Sequence, residues 1–141
     1  AGFREGLIEQ GQVLAAYALG DFTISRAKEV AREMFDRPDH PDAVFVGQDS
    51  MAFAVMDVLR DELNIKIPSE VSIIGYDDVP PASLAAYDLT TMRQRSNIMV
   101  DETVSLMLDK ITNPSQEPVH VKVESPLIIR SSAKIPKGWT S

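Results

Sequence analysis

The sequence predicts an α/β fold, a parallel sheet in an α/β/α layered arrangement with helices on both faces. Two observations carry this. Ala43–Val46 and Val71–Tyr76 (VSIIGY) are short, unbroken apolar runs of the kind that parallel strands buried on both faces require. Between and before them lie segments whose apolar residues recur at helical spacing. That alternation is the βαβ pattern, and its crossovers are expected to be right-handed.

Taken in order, Phe3 to Gln10 reads as the end of a helix, with Phe3, Leu7 and Ile8 apolar and Gly11 as its stop. Gln12 to Tyr17 (QVLAAY) is a short apolar run and is expected to be a strand. The loop Gly20-Asp21-Phe22-Thr23 follows. Ile24 to Phe35 is expected to be a helix, because Ile24, Ala27, Val30, Ala31, Met34 and Phe35 share one face. Thr23 is its N-cap, and Pro38 and Pro41 prevent its continuation. A second helix runs from Ser50, as N-cap, to Leu63. Leu89 to Arg93 (LTTMR) reads as a further strand. Ile98 to Ile111 reads as a helix with Val100, Val104, Met107, Leu108 and Ile111 on one face, ended by Asn113-Pro114. Val119 to Val123 and Leu127 to Arg130 read as extended strands. The tail after Ala133, with Trp139, is expected to be loose.

Composition narrows the function classes. The chain has 141 residues, one domain or less. Lys and Arg number 14 against 21 Asp and Glu, a formal charge of −7. So acidic a chain lacks the basic face that phosphate neutralisation needs, and it is a poor nucleic-acid binder alone. It contains no cysteine, which excludes disulfides, thiolate metal sites and cysteine nucleophiles. A cytoplasmic location is expected, in keeping with a reducing compartment. No apolar run approaches the ~20 residues of a membrane span. The first residues do not read as a signal peptide, and the absence of an initiator Met fits a piece of something longer.

In an open parallel sheet, ligands bind beyond the carboxyl ends of the strands. Three loops fall at such ends: Gly20-Asp21-Phe22-Thr23, Gly47-Gln48-Asp49-Ser50 and Gly75-Tyr76-Asp77-Asp78. A carboxylate there accepts hydrogen bonds from vicinal hydroxyls or ring N–H groups, and Phe22 can stack on a sugar or a base. A few placed polar groups against an apolar wall make a small-molecule pocket. Singly, Asp21, Asp49 and Asp77 also fit the ordinary role of aspartate as a turn former; the three loops together point to a site.

Enzyme signatures are weak. Asp77-Asp78 resembles a Mg²⁺ or phosphoacceptor pair, but no Lys follows at the position such chemistry needs. His40 and His120 read as surface histidines without triad partners. No phosphate-binding glycine loop is present. No catalytic residue, cofactor or metal site is assigned. On the helix Ser50–Leu63, Met51, Ala52, Val55, Met56, Leu59 and Leu63 face the sheet, whereas Phe53 lies on the polar side between Asp57 and Arg60. Exposing that ring would forgo about 2 kcal/mol of burial. Two readings fit, a subunit interface (the one favoured) and a ring lying under a neighbouring loop.

The chain resembles the effector-binding domain of the lac/galactose repressor family of bacterial transcription regulators. The residues that carry the resemblance are AGFREGL (1–7), GDFT (20–23), DAVFVGQDSMA (42–52), IPSEVSIIGYDD (67–78), LTTMRQ (89–94) and PLIIRSS (126–132). It implies a type I periplasmic-binding-protein-like architecture. Two α/β subdomains are joined by three crossovers, with an effector between them and a helix-turn-helix domain ahead of them. Residues 1–141 would be the C-terminal portion of the effector-binding domain, with 95–112 a crossover helix segment of the N-terminal subdomain. Helix 98–111 would then need another partner, such as a second copy of the chain, or be mobile.

The resemblance also implies residue roles. Asp77 would be the carboxylate ligand and Phe22 the stacking aromatic. Gln48 and Asp49 stand where the family usually has an Asn-Asp pair, and Gln94 lines the cleft. The surface with Met51, Phe53, Ala54 and Asp57 would form a homodimer. The expected effector is a sugar or a nucleobase-like molecule. Operator DNA would be reached only through the helix-turn-helix domain, which this chain lacks. The alternative is a periplasmic sugar-binding receptor for transport.

Overall fold

The computed structural model describes residues 2–136. The elements are α1 (Gly2–Glu9), α2 (Ile24–Phe35), β1 (Ala43–Phe45), α3 (Asp49–Asp57) continuing into a π-helical turn (Val58–Glu62), β2 (Ser72–Asp77), a short 3-10 turn (Pro80–Ser83), β3 (Thr90–Arg93), α4 (Ser96–Thr112) and β4 (Leu127–Ile128). The strands form one sheet in the order β1-β2-β3-β4. β1 and β2 run parallel, as the βαβ pattern requires, β3 is parallel to β2, and β4 closes the edge antiparallel to β3.

Local chemistry explains the best-placed elements. The Thr23 hydroxyl accepts the Arg26 N–H at 3.2 Å, capping α2 where the sequence put the cap. One face of α2 buries Ala27, Ala31 and Phe35. Gly11, at φ +67°, ends α1 in the left-handed conformation that glycine adopts without a Cβ penalty. α2 and α3 pack on one another, and α3 lies on the sheet. Met56, Val58, Leu59, Val71, Ile73 and Leu89 between them are fully buried. Each such side chain contributes about 1.5–3 kcal/mol of apolar burial. On the opposite sheet face Phe45 meets Tyr76 edge-on at 6.5 Å, and Phe3 of α1 stacks on Phe45 at 5.1 Å.

Several expectations fail, each for a physical reason. Gln12–Tyr17 forms no strand: it has no strand to pair with, and Val13 and Tyr17 are exposed. Val119–Val123 likewise forms no strand. Ser50 does not cap α3. The cap position is Gln48, two residues earlier, which makes no side-chain cap bond, and the helix starts on Asp49, whose carboxylate is used elsewhere. Leu127–Arg130 is a strand only at Leu127–Ile128. The apolar stripe of α4 (Val100, Val104, Met107, Leu108 and Ile111) is exposed, and no residue of α4 is buried. Just past Ala133, the Lys134 N–H donates to Ser72 Oγ at 3.1 Å, so the tail begins tied to β2. Trp139 lies outside the described residues.

Candidate functional site: a polar rim at the carboxyl ends of the parallel strands

Because β1, β2 and β3 are parallel, their carboxyl ends open on one edge of the sheet. β1 delivers Gln48 and Asp49, β2 delivers Asp77 and Asp78, and β3 delivers Arg93 and Gln94. Asp77 and Gln94 touch: Gln94 Nε2 donates to Asp77 Oδ1 at 2.5 Å, and the Gln94 backbone N–H donates to the Asp77 carbonyl at 3.3 Å. Burial pushes the Asp77 carboxyl above the usual carboxylate range. The Gln94 hydrogen bond opposes that shift, and the Asp49 charge adds to it.

The corner after β2 is strained. Asp77 has φ 126° and Asp78 φ 60°, two consecutive residues in the region L side chains avoid. Such a residue costs of order 1–3 kcal/mol and persists only where its surroundings hold it. Here they do. Asp78 Oδ1 accepts from an Arg130 guanidinium nitrogen at 2.7 Å, and Oδ2 accepts from Arg93 Nε at 2.5 Å. Burial alone would raise the Asp78 carboxyl. The two guanidinium hydrogen bonds outweigh it and hold the group below its ordinary range. These cations occupy both oxygens of Asp78, one of the two carboxylates that a Mg²⁺ reading of Asp77-Asp78 would need. Among the described residues no cluster of three or more His, Asp or Glu side chains is arranged around a metal position.

Asp49 does something the sequence did not reveal. Its side chain is wholly buried; Oδ1 accepts the Thr91 hydroxyl at 2.7 Å and Oδ2 the Val79 N–H at 3.0 Å. It ties α3 to β3 and to the corner that carries Asp77. As placed, it offers no surface to a ligand, which corrects the expectation of direct contact. Gly75 is the counterpart. A Cβ there would collide with Asp49 Oδ1 and lie 2.8 Å from Leu89 Cδ2. The bare backbone at Gly75, deep in an apolar strand, was the one signal in the sequence of so close an approach.

Gln48 is half-buried at the start of α3, its amide free of any capping role. The loop carrying Phe22 turns through two left-handed residues, Asp21 (φ 49°) and Phe22 (φ 53°), and leaves the ring 78% exposed. Gly20 of that loop abuts Met51, since a Cβ on it would stand 2.8 Å from Met51 Sδ. The loop therefore lies beside the first turn of α3, the turn that follows Gln48.

The residues expected at a dimer surface are used largely within the chain. Met51 and Ala54 are buried with Ala27 of α2. Asp57 stands 3.8 Å from Lys28. The Phe53 ring stacks on Tyr87 at 4.2 Å, so it lies under a neighbouring loop, the second of the two readings of that residue. The helical wheel could not show this, because Tyr87 is remote in sequence.

Residues 1–133 match the family described as the periplasmic binding protein-like domain. The transcriptional regulator CelR of Thermobifida fusca is 36% identical over 135 residues, covering 93% of this chain and 39% of that protein. The HTH-type transcriptional repressor PurR of Escherichia coli is 34% identical over 113 residues, 80% of this chain and 33% of that protein.

The chain belongs to the lac repressor family, in its periplasmic-binding-protein-like effector-binding domain.

The family fold is also visible in solved structures. A CelR–cellobiose complex superposes with a TM-score of 0.79 at 36% identity, covering 93% of this chain and 40% of that one. A lac repressor dimer bound to operator and an anti-inducer gives a TM-score of 0.83 at 21% identity, covering 94% of this chain and 46% of that one, a likeness of fold. The chain thus spans about a third to two-fifths of the length of the curated relatives it matches.

Proposed function

We propose that this chain is the C-terminal part of the effector-sensing domain of a DNA-binding transcription regulator, and that the rim at the carboxyl ends of β1–β3 is half of its effector site. The observation that carries this is the Asp77 carboxylate. It stands at a strained corner at the end of β2, within hydrogen-bond reach of Gln94 from the next strand. A carboxylate and an amide side by side present acceptors and a donor spaced for the vicinal hydroxyls of a sugar or the N–H edge of a base. Gln48 adds a second amide from β1, and Phe22 an exposed ring able to stack on the apolar face of either. Asp49 acts from behind, holding the corner.

The relatives named as transcription regulators, one of them solved with cellobiose, favour sensing over transport and a sugar as the first ligand to try. On this reading the domain is not a catalyst. It works in the cytoplasm and reaches operator DNA through a part of the protein outside these residues. Residues 95–112 belong to a crossover toward the other subdomain, which accounts for the uncovered stripe of α4. Occupancy would shift the population between closed and open clefts through differential affinity. The regulator would act as a homodimer. The surface around the Phe53–Tyr87 stack, with exposed Leu84 beside it in sequence, is its contact.

Isothermal titration with cellobiose, monosaccharides and purine bases tests the ligand class. Binding by at least one of them that Asp77→Asn weakens tenfold or more is the expected result. Equal affinity in the Asp77→Asn variant would refute the assignment.

A further inference from the structure

We propose that Asp78 and Arg130 are positioning residues: their ion pair locks the corner after β2 in the one geometry that presents the Asp77 carboxylate to Gln94 and to a ligand.

Two successive aspartates at φ 126° and 60° do not hold themselves. Something must bear on the corner, and Asp78 is where it bears. Its side chain is only 5% exposed and that of Arg130 13%, so the pair is not a solvated surface contact. Arg130 is itself fixed at both ends. Its backbone N–H donates to Thr90 Oγ1 at 2.9 Å, and the same hydroxyl donates to the Arg130 carbonyl at 2.9 Å. One guanidinium nitrogen donates to the Leu89 carbonyl at 2.7 Å while the other reaches Asp78 at 2.7 Å. Two residues on, the buried Ser132 hydroxyl accepts the Thr90 N–H at 2.8 Å and donates to the Ile73 carbonyl at 2.6 Å. Arg130 thus stands on a strap stitched to both β2 and β3, and it carries that rigidity to the corner through a planar fork. Arg93, half exposed, supplements the hold. Asp77 has Gln94 as its side-chain partner, so its direction follows the backbone that Asp78 fixes. Preorganisation of this kind lowers the ordering a ligand must impose.

The value of the pair as an effector-site device rests on the function proposed above; its effect on Asp77 does not, and the test separates the two. In isotopically labelled protein, the Gln94 side-chain amide signals and the Asp77 carboxyl titration are read in wild type and in Arg130→Lys. The charged groups around Asp77 are Asp49, Asp78, Arg93 and Arg130, and Arg130→Lys leaves all of those charges in place. Lysine replaces the planar fork, whose two nitrogens serve Leu89 and Asp78 separately, with a single nitrogen on a flexible stem. With the variant folded, the expected result is loss of the hydrogen-bonded Gln94 amide shift and an Asp77 midpoint displaced from that of wild type. Asp78→Asn is the second variant, read through the Gln94 amide alone, which is expected to move likewise. Wild-type Gln94 signals in both variants and a wild-type Asp77 midpoint in Arg130→Lys, with only a lower unfolding midpoint, would overturn the proposal and leave the pair a stabilising contact. Cellobiose titrated into the same samples is expected to bind Arg130→Lys at least tenfold more weakly than wild type. Gln94 and Asp77 responding to the variants while cellobiose leaves wild type unmoved would uphold the positioning role and remove the ligand instead.

Discussion

Replacing Asp49 with alanine should loosen the whole rim from inside. The carboxylate is fully buried and accepts two hydrogen bonds, from Thr91 Oγ1 and from the Val79 N–H. A hydrogen bond to a charged acceptor contributes about 1.5–3 kcal/mol, so the two together contribute about 3–6. Alanine also escapes the desolvation of the carboxylate, which offsets part of that and leaves a net loss of about 2–4 kcal/mol. At an unfolding entropy of about 2 cal/mol/K per residue, a chain of this size loses roughly 3–4 °C per kcal/mol, so the midpoint should fall by about 7–14 °C. Asparagine is the informative contrast. Its carbonyl can accept the Val79 N–H while its amide donates to the Thr91 hydroxyl, an oxygen that accepts as readily as it donates. Asp49→Asn should therefore lose less than half of what Asp49→Ala loses. The assay is thermal unfolding followed by circular dichroism, with Thr91→Val and the double variant completing a cycle. A midpoint for Asp49→Ala within about 3 °C of wild type, or additive losses for Asp49→Ala and Thr91→Val, would refute the bridging role, since partners in one hydrogen bond must couple.

Four further outcomes are expected. Gly75→Ala should cost about 1–3 kcal/mol by overpacking against Asp49 and Leu89, read as a lower unfolding midpoint; a neutral effect would mean the strand and α3 are not in contact there. Ser132→Ala should cost about 1–3 kcal/mol, because it strands the buried Thr90 N–H, again read by thermal unfolding. Asp77 and Asp78 should show opposite pH signs. The Asp77 carboxyl is raised on folding, so its ionised form costs stability above that raised pKa, and Asp77→Asn should raise the midpoint at pH 7 with the gain vanishing as pH falls below the ordinary carboxylate range. The Asp78 carboxyl is depressed, so its contribution is present above the ordinary carboxylate pKa and is lost as pH falls through its lower folded value; Asp78→Asn should be destabilising at pH 7 and much less so in strong acid. In hydrogen exchange, amides of α4, which buries no side chain, should exchange faster than those of α3, which buries six; equal protection would show that α4 has found a partner.

What the sequence disclosed depended on the range of the interaction that decides each feature. α2 was legible to the residue, Ile24–Phe35 with Thr23 as cap, because both its period and its cap are local. β1 and β2 were legible as unbroken apolar runs whose parallel order followed from the helix between them, and β3 was legible as a short strand at LTTMR. The same reasoning misread Gln12–Tyr17 and Val119–Val123, since a strand exists only with a neighbour to pair with, and pairing is not written in the strand itself. At the site, the resemblance led to Asp77 and Gln94, which the structure joins by a hydrogen bond, and to Phe22 and Gln48 on the flanking loops. The roles of the remaining groups were hidden for one reason: their partners are distant in sequence. Asp49 meets Thr91 across 42 residues and Asp78 meets Arg130 across 52, so neither residue reveals by its own surroundings whether it faces a ligand or the chain. Phe53, placed by the wheel among charges, is covered by Tyr87 for the same reason.

The most direct measurement is a map of backbone and side-chain amide shifts as sugars and purine bases are titrated into the labelled chain and its Asp77→Asn variant. Shifts concentrated at Phe22, Gln48, Asp77–Val79 and Gln94, and lost in the variant, are predicted. Binding that maps to α4 or to the Phe53–Tyr87 face, or a panel that leaves the rim amides still, would contradict it.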